Sequence, residues 1–167
     1  RRQRQMCIRD SHKPVTKKAS NYAGEQSSVM PLNAVPMSLD TRLPTGVGEF
    51  DRVLGGGLVA GSVVLIGGDP GIGKSTILLQ TAIHMAENHS LAGSALYITG
   101  EESLSQVAMR ASRLGLPNNN LKVLAETNVE MICQALTQEQ PAVAIIDSIQ
   151  TLFTEAIQSA PGGVSQI

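Results

Sequence analysis

Gly68-Asp69-Pro70-Gly71-Ile72-Gly73-Lys74-Ser75 fits the phosphate-loop pattern G-x-x-x-x-G-K-[ST] at every position. The chemistry of a nucleotide tail explains these residue types. Several negative charges must be held without blocking attack on the last phosphate, so such a loop offers backbone N–H groups in place of bulky side chains. Gly68, Gly71 and Gly73 permit the backbone angles this requires. Lys74 would reach the β- and γ-phosphates as a mobile point charge, and the Ser75 hydroxyl would take one coordination position on Mg²⁺. The context supports the motif. Ser62-Val63-Val64-Leu65-Ile66 is a continuous apolar run of buried-strand type leading into the loop. Ile77, Leu78, Leu79, Ala82, Ile83, Met85 and Ala86 then predict a helix from Lys74 to about Asn88, whose N-terminus would face the phosphates.

A second signature lies downstream. Ala142-Val143-Ala144-Ile145-Ile146-Asp147-Ser148 reads as a buried strand ending in a carboxylate, which suits an aspartate that positions Mg²⁺, usually through water, beside a phosphate loop. Between the two signatures, Ala95-Leu96-Tyr97-Ile98-Thr99 predicts a strand with Gly100-Glu101-Glu102 at its C-terminal end, where ligand chemistry collects in open α/β sheets. Hydrolysis needs a carboxylate that polarises the attacking water. Glu101 is preferred over Glu102 for that role because Glu102 lies closer to the next helix cap.

The rest of the chain builds the frame. Thr45 is expected to cap a short helix bearing Val47, Phe50, Val53 and Leu54 on one side, and Gly55-Gly56-Gly57 to turn the chain back toward the first strand. Ser103-Leu104-Ser105-Gln106 is a capping box, followed by Leu104, Val107, Ala108, Ala111 and Leu114 at helical spacing. Pro117-Asn118-Asn119-Asn120 reads as a loop and Leu121 to Ala125 as a strand. Thr127-Asn128-Val129-Glu130 reads as a second capping box, before a helix with Val129, Ile132, Cys133 and Leu136 on its buried stripe. Cys133 is most simply a small core residue. Strands alternating with helices imply an α/β fold, a mostly parallel sheet with helices on both faces.

Composition sets limits. The chain has 167 residues and 42% hydrophobic content, enough for one domain core. It has no apolar run long enough to cross a bilayer and no secretory signal, which points to a cytoplasmic protein with no membrane partner. Its two cysteines, Cys7 and Cys133, supply neither a disulfide framework nor a four-cysteine zinc site. His12, His84 and His89 show no partner pattern and are assigned no chemistry. Residues 1–18 hold seven of the thirteen Lys+Arg and one acid, leaving six basic against thirteen acidic residues in the remainder. That asymmetry would suit a basic nucleic-acid arm. However, Arg1-Arg2-Gln3-Arg4-Gln5-Met6-Cys7-Ile8-Arg9-Asp10-Ser11 closely resembles a translated sequencing adaptor. Residues 1–11 are therefore read as an artefact. Residues 12–40, polar and interrupted by Pro14, Pro31 and Pro36, are read as a disordered linker.

Four stretches carry a family resemblance. They are Arg42-Leu43-Pro44-Thr45-Gly46-Val47-Gly48-Glu49-Phe50-Asp51-Arg52-Val53-Leu54-Gly55-Gly56-Gly57, Gly67-Gly68-Asp69-Pro70-Gly71-Ile72-Gly73-Lys74-Ser75-Thr76, Tyr97-Ile98-Thr99-Gly100-Glu101-Glu102-Ser103 and Asp147-Ser148-Ile149-Gln150-Thr151. From about residue 39 to residue 167 the chain resembles the bacterial RadA/Sms family of DNA-repair ATPases. The resemblance implies a RecA-like P-loop NTPase core, of which residues 41–167 form the N-terminal part. It also implies ATP and Mg²⁺ as cofactors, single-stranded DNA and recombination intermediates as partners, branch migration as the activity and a homo-oligomeric ring as the assembly. It maps the phosphate-loop lysine onto Lys74, the water-activating glutamate onto Glu101 and the metal-positioning aspartate onto Asp147, with Gly68 through Thr76 on the nucleotide and Ser75 with Asp147 at the metal.

The family begins with a Zn²⁺ module whose four cysteines have no counterpart here, and it continues past Ile167. One of its later strands inserts between the aspartate strand and the phosphate-loop strand. The expectation is a core incomplete at its C-terminus, a gene fragment truncated at both ends that binds MgATP poorly and turns it over negligibly. Aromatic residues are few (Tyr22, Phe50, Tyr97 and Phe153), so no stacking platform for single strands is visible and DNA binding rests on the resemblance. Two other readings share these motifs: a KaiC-like regulatory ATPase or kinase, and a nucleotide-dependent assembly switch in which hydrolysis is incidental.

Overall fold

The computed structural model describes residues 31–34, 41–88, 93–117 and 119–156. The readings made for residues 1–11, for Cys7, His12, His89 and Asn118, for most of the 12–40 linker and for residues 157–167 lie outside the described residues. The chain divides into two units, residues 1–38 and 39–167. The described part of the first holds a 3-10 turn, Leu32–Ala34, with no buried residue.

The second unit opens with β1 (Arg42–Leu43), which pairs antiparallel with β2 (Leu58–Val59) around α1 (Gly48–Val53). Thr45 does not cap this helix. Val47 occupies the cap position with no side-chain bond, while Thr45, wholly buried, accepts the Val47 N–H through its hydroxyl and donates its own N–H to Asp51 Oδ1. Val53 departs from the expected stripe, since it is 74% exposed. The triple glycine does turn the chain, with positive φ at all three positions. At Gly57 a Cβ would sit 2.3 Å from the Leu43 carbonyl oxygen, so the return into β2 tolerates no side chain.

The main layer follows. It consists of α2 (Lys74–Glu87), β3 (Ala95–Thr99), α3 (Leu104–Leu114), β4 (Leu121–Ala125), α4 (Val129–Glu139) and β5 (Val143–Asp147), closed by a 3-10 turn at Ile149–Thr151. The sheet order is β4-β3-β5 and both pairings are parallel, as right-handed crossover units require. All five residues of β3 are buried, because it is the central strand with helices over both faces. On one face Tyr97 packs with Leu79, Ala82 and Ile83 of α2 and Val107 and Ala111 of α3. On the other, Leu96 and Ile98 pack with Ile132 of α4. The α/β architecture with helices on both sides of a parallel sheet is as the sequence pattern implies.

Four local readings are corrected. Residues 62–66 form no strand, and Val63 and Leu65 are 96% and 77% exposed. A backbone run becomes a strand only where another strand offers its N–H and C=O groups. No described strand pairs with the free side of β5, and residues 62–66 pair with no described strand. β5 is correspondingly only half-buried. In α3, Leu104 and Ala108 face solvent, while Val107 and Ala111 carry the burial. The second cap is shifted by one residue: Asn128, not Thr127, caps α4 by accepting the Met131 N–H, since Glu126 already takes the Thr127 and Asn128 amides. Cys133 is a free, exposed thiol, because Ile132 alone of that helix is fully buried.

Candidate nucleotide site

The loop and α2 form as the motif requires. Gly71 and Gly73 have φ of 78° and 101°, and a Cβ at either would meet no atom within 4 Å. Glycine is needed there for the left-handed backbone, not for lack of room. Lys74 opens α2, and its Nζ donates back to the carbonyls of Gly68 and Asp69 at 2.6 and 2.8 Å, drawing the loop around one positive charge. Ser75 follows in the first helical turn, whose amides lack intrahelical acceptors and whose dipole is positive. This cradle fits a nucleotide phosphate group: left-handed glycines, a flexible cation and a helix N-terminus converge on the same few residues.

The carboxylates meet at the other edge. Parallel register places Thr99 opposite Asp147, so the chain leaves β3 and β5 side by side. The Gly100 N–H donates to the Asp147 carbonyl at 2.9 Å, and the Ser148 hydroxyl donates to Glu101 Oε1 at 2.5 Å. The peptide joining Asp147 and Ser148 is cis. Glu101 is exposed. Glu102 is engaged elsewhere: its Oε1 forms an ion pair with Arg110 of α3, and its N–H is held by the Thr99 hydroxyl at 3.0 Å. Glu102 thus has an ion-pair partner in α3, whereas the Glu101 carboxylate accepts from Ser148. An open cleft of about 340 Å³ lies at this strand end, lined by Thr99, Gly100, Glu101, Glu102, Ala125, Glu126 and Thr127.

Asp147 is held from below by Tyr97, whose hydroxyl donates to Oδ2 at 2.6 Å. Burial first, and the Asp147 carboxylate second, push the Tyr97 phenol far above its ordinary range, so it remains a donor at any physiological pH. Sequence reading gave Tyr97, Ser148 and Arg110 no role. The available signal was slight: a tyrosine at the centre of an otherwise apolar strand implies a buried hydroxyl in need of a partner.

α2 packs on the same sheet face as Tyr97 and Ile145, so it is the element that ties the loop to the carboxylate edge. Among the described residues no hydrogen bond or ion pair links Lys74 or Ser75 directly to Glu101 or Asp147. Nor does any group of three or more His, Cys, Asp and Glu side chains gather to hold a metal by itself.

The family described as "AAA domain" matches residues 42–162, and the chain belongs to it. It is thus an α/β P-loop domain of a family whose general ligands are nucleotide and Mg²⁺. Among curated proteins the chain is 60% identical over 146 residues to the DNA repair protein RadA of Pseudomonas aeruginosa, covering 87% of this chain and 31% of that one. The RadA proteins of Haemophilus influenzae and Escherichia coli are 52% and 51% identical, over 89% of this chain and 32% of each relative. The chain therefore spans about a third of the length of these relatives. Among the described residues no helix is long and apolar enough to cross a membrane.

Proposed function

We propose that the whole protein to which this chain contributes is a cytoplasmic DNA-repair ATPase. It hydrolyses ATP under stimulation by single-stranded DNA and processes recombination intermediates by branch migration as a homo-oligomeric ring, whereas the 167-residue chain by itself turns ATP over negligibly. The RadA relatives support the DNA-repair part of this reading. The observation that carries the chemistry is the shared edge at which Glu101 and Asp147 stand side by side at the ends of parallel strands, on the sheet that α2, the helix following the phosphate loop, covers.

In this reading residues 68–76 wrap the phosphates through backbone amides, and Lys74 exchanges its bonds to the Gly68 and Asp69 carbonyls for phosphate oxygens. Mg²⁺ when bound neutralises developing charge on the phosphates. Ser75 and Asp147 are the chain's contributions to its surroundings. Glu101 orients the attacking water and accepts its proton. Ser148 fixes Oε1 of that carboxylate and so leaves Oε2 toward the water.

The test is hydrolysis by the purified whole protein with and without single-stranded DNA, and robust DNA-stimulated hydrolysis by the 167-residue chain alone would overturn the expectation of negligible turnover. Glu101→Gln is expected to keep nucleotide binding and lose about 10²- to 10⁴-fold in turnover, whereas Lys74→Ala loses the binding itself. Unchanged turnover in Glu101→Gln would remove Glu101 from the chemistry. Strand movement that survives the loss of turnover would favour an assembly switch over a motor.

A further inference from the structure

We propose that Tyr97 is a positioning residue for the metal site: its hydroxyl holds the Asp147 carboxylate so that one oxygen faces the protein and the other faces the metal's water shell. The inference rests on the nucleotide reading above and adds a residue to it.

The geometry is specific. Tyr97 sits at the middle of the central strand, wholly buried, its ring packed against Leu79 and Ile83. In the β3–β5 ladder Tyr97 pairs with Ile145 and Thr99 with Asp147. Residues two apart on a strand share a face, so Tyr97 and Asp147 project to the same side, offset by two residues or about 6.6 Å of strand rise. A phenol is long enough to cover that offset; no shorter side chain at this position reaches the carboxylate. The hydroxyl donates to Oδ2 at 2.6 Å, a short bond of the charge-assisted kind. Among the described residues Oδ1 accepts no hydrogen bond, so the carboxylate has one tethered oxygen and one free one.

This has a consequence for the metal. An aspartate at a strand end with both oxygens free would swing between rotamers and meet water equally from either oxygen. Anchoring one oxygen from within the core sets the direction of the other before any ligand arrives, which is how a supporting hydrogen bond tunes a metal site. Tyr97 touches neither nucleotide nor metal in this arrangement and acts only through Asp147.

The experiment is a titration of a fluorescent ATP analogue on the purified protein, in EDTA and across a Mg²⁺ series, for wild type, Tyr97→Phe, Asp147→Asn and the double variant. Phenylalanine preserves the packed ring and deletes only the hydroxyl. In Tyr97→Phe the Mg²⁺ concentration for half-maximal enhancement of binding is expected to rise by about three- to tenfold, the worth of one such hydrogen bond. The metal-free affinity should move much less. The same substitution placed on Asp147→Asn should add nothing. A Mg²⁺ dependence identical to wild type overturns the proposal, and so does an equal loss with and without metal, which marks a packing role. If wild type shows no nucleotide binding sensitive to Mg²⁺ or to Lys74→Ala, the nucleotide reading itself fails, a result that the Tyr97 comparison cannot mimic.

Discussion

Residues 62–66 and Ala95–Thr99 are five-residue runs of similar apolar composition, each leading to a glycine and then to a residue of the candidate site. Every residue of the second is buried, whereas Val63 and Leu65 of the first lie almost bare. The difference lies in the neighbours. β3 has β4 on one side and β5 on the other, with helices over both faces, so its apolar side chains and backbone groups are satisfied together. Residues 62–66 have no ladder among the described residues. An apolar run therefore reports readiness to be a strand, and only a partner edge converts that into burial.

Truncation mutants should break or confirm this contrast, and they carry the largest effects. Ile98→Ala removes a wholly buried side chain between Leu96 and Ile132 and is expected to cost about 2–5 kcal/mol in urea unfolding. Leu65→Ala should stay within about 0.5 kcal/mol, as for an exposed site. If Leu65→Ala costs as much as Ile98→Ala, the run is buried in solution and the comparison collapses.

The two glycine turns that flank residues 62–66 give the next largest effects. Gly57→Ala combines a φ of 131° with a Cβ driven onto the Leu43 carbonyl, and should lower stability by about 1–3 kcal/mol. Gly73→Ala meets no atom and carries only the angle, a cost of about 1–2 kcal/mol. Thermal melts of the pair separate crowding from backbone strain. Equal losses would mean that the Leu43 carbonyl moves aside freely.

Caps come next. Ser103 completes a full capping box with Gln106, so Ser103→Ala should cost about 1 kcal/mol. Asn128→Ala should cost a similar amount, while Thr127→Ala should cost clearly less, since the Asn128 side chain makes the cap. The reverse ranking in chemical denaturation would restore the cap to Thr127.

These cases show which parts of the molecule sequence reading reaches. Strands Ala95–Thr99 and Leu121–Ala125, and the helix from Lys74, were legible because period, glycine punctuation and capping chemistry agree locally. The Ser103 box was legible for the same reason. The fate of 62–66 was not, since it depends on a partner that no local pattern encodes. Cys133 and Asn128 were each missed by a single position: Ile132 is the one fully buried residue of α4, and one position along a helix rotates its face by about 100°. At the site, the fixed spacing of the phosphate-loop pattern named Lys74 and Ser75, and the ends of two predicted strands named Glu101 and Asp147. Tyr97, Ser148 and Arg110 came only from the structure. Their contacts, Tyr97 to Asp147, Ser148 to Glu101 and Arg110 to Glu102, span 50, 47 and 8 positions and arise from strand register and helix packing.

The smallest expected effect distinguishes the helix entered through glycines from the helix entered through carboxylates. α2 starts at Gly73 with no side-chain cap, whereas the approach to α4 is held by Glu126, whose Oε1 accepts the Thr127 and Asn128 amides at 2.8 and 2.9 Å. Those bonds, the one from Asn128 foremost, lower the Glu126 pKa below the usual carboxylate value. Glu130, in the first turn of α4, is lowered in the same direction, chiefly by the Thr154 hydroxyl. A carboxyl group with a depressed folded pKa adds stability that is fully present above its unfolded value, about 4.3, and is lost as pH falls through the folded value. Acid should therefore loosen the β4–α4 junction below about pH 4.3, ahead of α2. Glu126→Gln keeps an acceptor oxygen without the charge, so wild type should be the more stable at pH 6 and the gap should narrow toward pH 3. Amide hydrogen exchange at Thr127 through Met131, compared with Thr76 through Leu79, reads the junction against the loop helix. A gap that stays constant with pH would show that the ionised carboxylate is not what holds the entrance to α4.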